Sequence, residues 1–155
     1  MKPGDTAPDF ELPDETGTPR RLTDLLADGP VVLFFYPIAS SPGCTAEACH
    51  FRDLAAEFAN VGAQRLGVSS DHVDRQQRFS AHHDLGYPLL SDADRTVATQ
   101  FGVKRALGLP FKRVTFVVDT DRTVLDVIAS EINMNAHADR ALEALHRRHE
   151  EKGKA

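Results

Sequence analysis

The stretch VVLFFYPIASSPGCTAEACHFRDLAAEF, Val31 to Phe58, decides how this chain is read. It opens with Val31-Val32-Leu33-Phe34-Phe35-Tyr36, β-branched and aromatic without polar alternation, as expected of a strand buried on both faces. Pro37 stops the run. Ser41 suits a helix N-cap, and Pro42 suits the first helical position, where a missing N–H costs nothing. The pattern predicts one helix over 42–58 with Cys44 in its first turn. Free N–H groups and the positive end of the helix dipole gather there, among them the backbone amides of Gly43 and Cys44. A cysteine so placed sits where negative charge is stabilised, and the thiolate is the nucleophilic form. Ser41 has two uses: its oxygen can cap a backbone N–H, and its hydroxyl hydrogen can point at sulfur or substrate. The alternative reading is a small buried cysteine behind an ordinary cap.

Cys49 lies five residues on. In an ideal helix that is about 140° round from Cys44, with Cα atoms roughly 8–9 Å apart, whereas disulfides need less than about 7 Å. The two cannot pair while the helix is intact, so a disulfide would require its first turns to unwind; an incidental thiol is the other reading. Phe51, Leu54, Ala55 and Phe58 form an apolar face at helical spacing. Cys44 and Glu47 fall on that face. A carboxylate on the core side calls for a partner, an arginine by preference, unless it reaches solvent from the rim.

Pro37-x-x-x-Ser41-x-x-Cys44 matches the peroxiredoxin signature Pro-x-x-x-Thr/Ser-x-x-Cys, and FFYPIASSPGCTAEACHFRD resembles the bacterioferritin comigratory protein (peroxiredoxin Q) branch, in its actinobacterial form. The resemblance runs from Gly4-Asp5-x-Ala7-Pro8-Asp9-Phe10 to the last helix. It implies a peroxidatic Cys44, a resolving Cys49 five residues later, and a Cys44–Cys49 disulfide formed after oxidation by a hydroperoxide. It also implies reduction by a thioredoxin-like dithiol, no cofactor, and a monomer or weak homodimer. Four cations, Lys104, Arg105, Lys112 and Arg113, are candidates to stabilise the sulfur and the leaving oxygen. The resemblance selects Arg113, which opens Arg-Val-Thr-Phe-Val-Val-Asp, with Glu47 orienting it and Pro37, Ser41 and Gly43 shaping the site. Many members carry Lys-Asp where this chain has Ile38-Ala39-Ser40, so a more apolar rim is expected here.

Outward from this stretch, short strands at 10–12 and 20–22 form an N-terminal hairpin, with one helical turn at 23–26. A strand over 64–69 completes a right-handed βαβ unit. Ser70-Asp71 heads a polar helix over 72–84. A strand at 86–90 follows, then a helix over 93–101 capped by Ser91-Asp92, and a loop over 103–111. Strands at 113–119 and 123–129 are antiparallel. Asn135 caps an amphipathic helix over 136–150, with Ala138, Ala141, Leu142 and Leu145 inward, and the tail is frayed. This order implies an α/β, thioredoxin-like fold with an N-terminal β-hairpin extension, in a single domain over 1–155. His82-His83 read as solvated, and His146 and His149 share a helix face without a metal-binding partner set.

At 155 residues the chain can bury a substantial core, and a formal charge of −5 disfavours nucleic acid as a partner. The absence of a membrane-length apolar run or a signal core predicts a cytoplasmic protein without membrane contact, where paired cysteines are catalytic or redox-sensing rather than structural. Two other functions fit a reactive pair: general thiol–disulfide exchange and a redox-sensing switch. Against exchange, the spacing is Cys-x-x-x-x-Cys, not Cys-x-x-Cys.

Overall fold

A computed structural model describes residues 1–153. Strand β3 (Val31–Phe35) runs through the centre of a five-stranded sheet of order β5-β4-β3-β6-β7. Strands β4 (Gln64–Ser69) and β5 (Leu89–Ser91) continue it in parallel on one side; on the other, β6 (Val114–Val118) pairs with β3 antiparallel and β7 (Val124–Ala129) pairs antiparallel with β6. A separate antiparallel hairpin joins β1 (Glu11–Pro13) to β2 (Pro19–Arg21). Helices α1 (Leu22–Leu26), α2 (Pro42–Asp53), α3 (Ala55–Asn60), α4 (Val73–His83), α5 (Thr96–Gln100) and α6 (Met134–Gly153) complete a thioredoxin-like α/β fold with an N-terminal hairpin. Among the described residues, no helix is long and apolar enough to cross a membrane.

The unbroken apolar character of β3 follows from the layers. Successive side chains point to opposite faces. Val31, Leu33 and Phe35 enter a core with Phe101, Phe111 and Phe116; Val32, Phe34 and Tyr36 enter a second with Phe51, Phe58, Phe79 and Leu145. Each face is covered, so neither set of alternate residues could be polar. On the α2 face Phe34 stacks on Phe51 at 4.3 Å between centroids. Gly67 makes room for this layer: a Cβ there would meet Leu89 Cδ2 at 2.8 Å and the rings of Phe34 and Tyr36 at 3.0 Å.

Several boundaries differ from the sequence reading. The helix expected over 42–58 is two helices, broken at Leu54 (φ −95°, ψ 20°). The Phe51 carbonyl at the break accepts Arg65 Nη1–H at 2.8 Å, a side-chain donor in place of a helical amide. The bend keeps Phe51 and Phe58 buried, but turns Ala55, expected inward, to solvent. Asp71 does not cap α4, whose N-cap is His72; its carboxylate is drawn inward by the Ala39 N–H and the Ser69 hydroxyl, both at 2.7 Å. Helix α5 starts at Thr96, yet Asp92 still serves it, accepting the amides of Val97 and Ala98 at 3.2 and 2.8 Å. Helix α6 starts at Met134, not Ala136, and Asn133 rather than Asn135 accepts the Ala136 amide, at 3.1 Å. The loop over 103–111 contains a 3-10 turn at Ala106–Gly108. Of the expected frayed tail, helix continues through Gly153, and the last two positions lie outside the described residues.

Candidate active site

The sheet register places the site. Phe35 ends β3 opposite Val114, so Arg113 stands just beyond the end of β3, where the chain turns into α2. Arg113 and Thr115 are two apart on an extended segment and therefore share a face, the one covered by α2 and α6. Cys44 lies in the first turn of α2 and is 1% exposed. The first amide returned within the helix is Thr45 N–H to the Ser41 carbonyl at 2.8 Å, which leaves the Gly43 and Cys44 amides with no carbonyl one turn earlier.

Arg113 bridges the buried groups. Its Nη2 approaches Cys44 Sγ at 3.4 Å, and its Nη1 donates to Glu47 Oε1 at 2.8 Å. Glu47 is fully buried and Arg113 is 6% exposed. Burial opposes the Arg113 charge, but Glu47 and Cys44 outweigh it and hold the guanidinium above its ordinary range. For Glu47 the balance tips the other way: burial pushes its carboxyl up to about 8, with Arg113 pulling against the rise. Gly43 gives the guanidinium its room, since a Cβ there would stand 3.2 Å from Arg113 Nη2 and 3.6 Å from Met134 Sδ. The other cations go elsewhere. Arg105 pairs with Glu131 at 2.9 Å, and Lys104 and Lys112 are exposed.

Ser41 occupies the N-cap position, but its side chain does not cap the helix. Its hydroxyl donates to the Ile38 carbonyl at 2.9 Å, inside a tight loop whose Ser40 takes a left-handed φ of 68°. Pro37 borders this loop, and the Ala39 amide anchors it to Asp71. Cys49 is partly buried on α2, and both cysteines are free thiols in a continuous helix. Three side chains clasp that helix from outside. The Tyr87 hydroxyl donates to the Ala48 carbonyl at 2.7 Å, Arg65 holds Phe51, and His50 pairs with Asp139 on α6 at 2.7 Å.

Two residues absent from the sequence reading complete the surroundings. Glu131 accepts the Arg113 backbone amide at 2.8 Å. His137, fully buried on α6, lies 2.7 Å from Thr115 Oγ1 and 3.5 Å from Glu47 Oε2.

The description AhpC/TSA family matches residues 3–127. The chain is 38% identical over 143 residues to peroxiredoxin Bcp of Escherichia coli, covering 88% of this chain and 91% of that one. The crystal structure of peroxidoxin BcpB from Mycobacterium tuberculosis superposes with a TM-score of 0.93 at 65% identity, over 95% of this chain and 97% of the other. The bacterioferritin comigratory protein of Xanthomonas campestris gives 0.82 at 33% identity, over 96% and 97%. A cysteine at a helix N-terminus under an arginine, on this fold and with these relatives, settles the assignment: the chain belongs to the AhpC/TSA family, on its bacterioferritin comigratory protein (peroxiredoxin Q) branch.

Proposed function

We propose that the protein is a peroxidase in which Cys44 is the peroxidatic nucleophile and Cys49 resolves the oxidised intermediate. The observation that carries this is the 3.4 Å approach of Arg113 to a sulfur already seated at a helix N-terminus. The Cys44 thiolate attacks the distal oxygen of a hydroperoxide. The O–O bond breaks, and the leaving alkoxide or hydroxide takes a proton to become alcohol or water. Cys44 is left as a sulfenic acid. Arg113 Nη2 and the free amides of Gly43 and Cys44 favour this step, because they are donors fixed in place before charge moves onto the leaving oxygen. The first turns of α2 then unwind. The Cys49 thiolate displaces the sulfenic oxygen, which leaves as water, and a disulfide forms. An external thioredoxin-like dithiol reduces it by exchange and is itself oxidised.

Organic hydroperoxides fit the rim. Apart from Met1, the large exposed apolar side chains are Ile38, Leu107, Leu109 and Ile132. Ile38 lies in the loop before Ser41. The segments carrying Leu107 and Ile132 are tied together through the Arg105–Glu131 pair, and Glu131 also holds Arg113. The name of the Xanthomonas structure attributes alkyl peroxide reduction to that relative, which supports the same class here, alongside hydrogen peroxide.

Rapid mixing of the reduced protein with one equivalent of hydrogen peroxide or an alkyl hydroperoxide, followed by thiol counting and intact mass, tests the proposal. Both thiols are expected to vanish together, far faster than a free thiol reacts, with the alkyl compound at least as efficient. Oxidation at free-thiol rates would overturn the peroxidase reading. Fast loss of one thiol alone would remove Cys49 from the cycle.

A further inference from the structure

Behind Arg113 lies a buried polar chain that the proposed cycle leaves unused: Ser130, His137, Thr115 and Glu47. His137, Thr115 and Glu47 are all fully buried. The direction of its hydrogen bonds can be worked out from chemistry. His137 Nε2 faces the Ser130 carbonyl at 2.8 Å; a carbonyl only accepts, so Nε2 carries a hydrogen. In a neutral ring Nδ1 is then bare, and the Thr115 hydroxyl, 2.7 Å away, donates to it. That arrangement leaves Glu47 Oε2, a buried acceptor without a hydrogen-bond partner, facing a second acceptor at 3.5 Å. Two lone pairs opposed in a site closed to water are costly. One added proton removes the conflict. Placed on Nδ1, it serves Thr115 Oγ1 and Glu47 Oε2; placed on Oε2, it points at Nδ1.

We propose that His137 is a positioning residue for Cys44: with Glu47 it holds one buried proton between Nδ1 and Oε2, which cancels the carboxylate and leaves the Arg113 charge directed at the sulfur. Without that proton, Glu47 is the counter-ion of Arg113 at 2.8 Å and competes with the thiolate at 3.4 Å. With it, the thiolate is the only anion against the guanidinium. The proton pair stands on geometry alone; its consequence for Cys44 rests on the peroxidatic reading.

Other charges face the pair from each packed element. Arg113 borders it at the start of β6, Glu131 from the loop between β7 and α6, Arg140 from α6, and the neutral Tyr87 hydroxyl from the segment before β5; Cys44 meets it through Arg113. His50 and Asp139 close the α2–α6 interface at its outer edge. Burial disfavours charge on both members, pushing the Glu47 carboxyl up to about 8 and the His137 imidazolium down, so the extra proton resides more on the carboxyl side.

The test uses the reduced full-length protein, labelled with ¹³C at glutamate carboxyls and ¹⁵N at histidine rings, and titrated by NMR. The Glu47 carboxyl and His137 Nδ1 signals are expected to move with one shared midpoint near pH 8. Stopped-flow rates with hydrogen peroxide should fall roughly tenfold or more above that midpoint, as Glu47 becomes anionic and recaptures Arg113. The shape of the profile, not its height, is read in the variants. Glu47→Gln should abolish the alkaline fall, and His137→Asn should displace it. A Glu47 signal that titrates alone in the ordinary carboxylate range, or an alkaline fall that survives in Glu47→Gln, overturns the proposal. The two readings separate cleanly in the wild type. Fast peroxide reduction with independent titrations rejects the shared proton alone. A shared midpoint without fast peroxide reduction rejects the peroxidase reading, and with it the positioning role.

Discussion

Cys44→Ser is expected to consume no hydroperoxide, while Cys49→Ser consumes one equivalent per chain and then stops. The difference follows from where the two sulfurs sit. Only Cys44 has donors arranged around it, with Arg113 Nη2 at 3.4 Å and the unbonded amides of the first turn. A serine oxygen there cannot replace a thiolate at neutral pH. Cys49 sits further along α2, partly exposed, and the attack on peroxide does not require it. In Cys49→Ser the sulfenic acid forms at an unchanged rate but finds no second thiol, so a dithiol reductant cannot turn the cycle. A small monothiol can, by condensing with the sulfenic acid from outside. The measurement is peroxide consumed per chain, with thioredoxin or a monothiol as reductant, together with intact mass for the added oxygen. Ordinary thioredoxin-driven turnover in Cys49→Ser would exclude the resolving role.

Arg113→Gln is expected to slow the peroxide step by about 10²–10³-fold, the cost of removing one preorganised donor from a site where charge develops. The substitution also removes the donor that the buried Glu47 Oε1 accepts, so some of its effect will reach stability. A double variant separates the two. In Arg113→Gln/Glu47→Gln the buried carboxyl is gone and the two amides can pair with each other, so thermal stability should recover most of its loss while the rate stays low. Recovery of the rate along with stability would mean that Arg113 acts only by holding the fold together. Circular dichroism melts and stopped-flow oxidation of the same preparations decide between them.

The Val31–Tyr36 run and the Ser41-Pro42 helix start were legible because they depend on neighbours a few residues away. The contacts of Arg113 are not local. Its partners Glu47 and Cys44 lie 66 and 69 residues earlier, and only the register of Phe35 against Val114 brings them together. Composition left four cations in contention, and resemblance rather than physics singled out Arg113. Ser41 shows the opposite error. Its place at the N-cap could be read, but the rotamer that spends its hydroxyl on Ile38 belongs to a loop shaped by Asp71 from another strand end. The break at Leu54 was hidden for a similar reason, because the sequence around it has no glycine or proline and the interrupting donor, Arg65, comes from β4. His137 did leave a trace. It precedes Ala141 by one turn and lies on the same wheel face as Leu145, so a polar ring stood on the apolar stripe of α6 and called for a buried partner.

The interruption at Leu54 also bears on how far oxidation can disturb the molecule. Helix melting is cooperative because consecutive backbone bonds share their conformational cost, so a disruption at one end of an unbroken helix tends to run its length. In the proposed cycle the helix that opens to bring the cysteines together ends at Asp53, and α3 beyond it is a separate helix, anchored by Phe58 in the core. The first turns of α2 become, in that cycle, a sacrificial fragment, spent and rebuilt on each turnover, while α3 keeps its own hold on the core through Phe58.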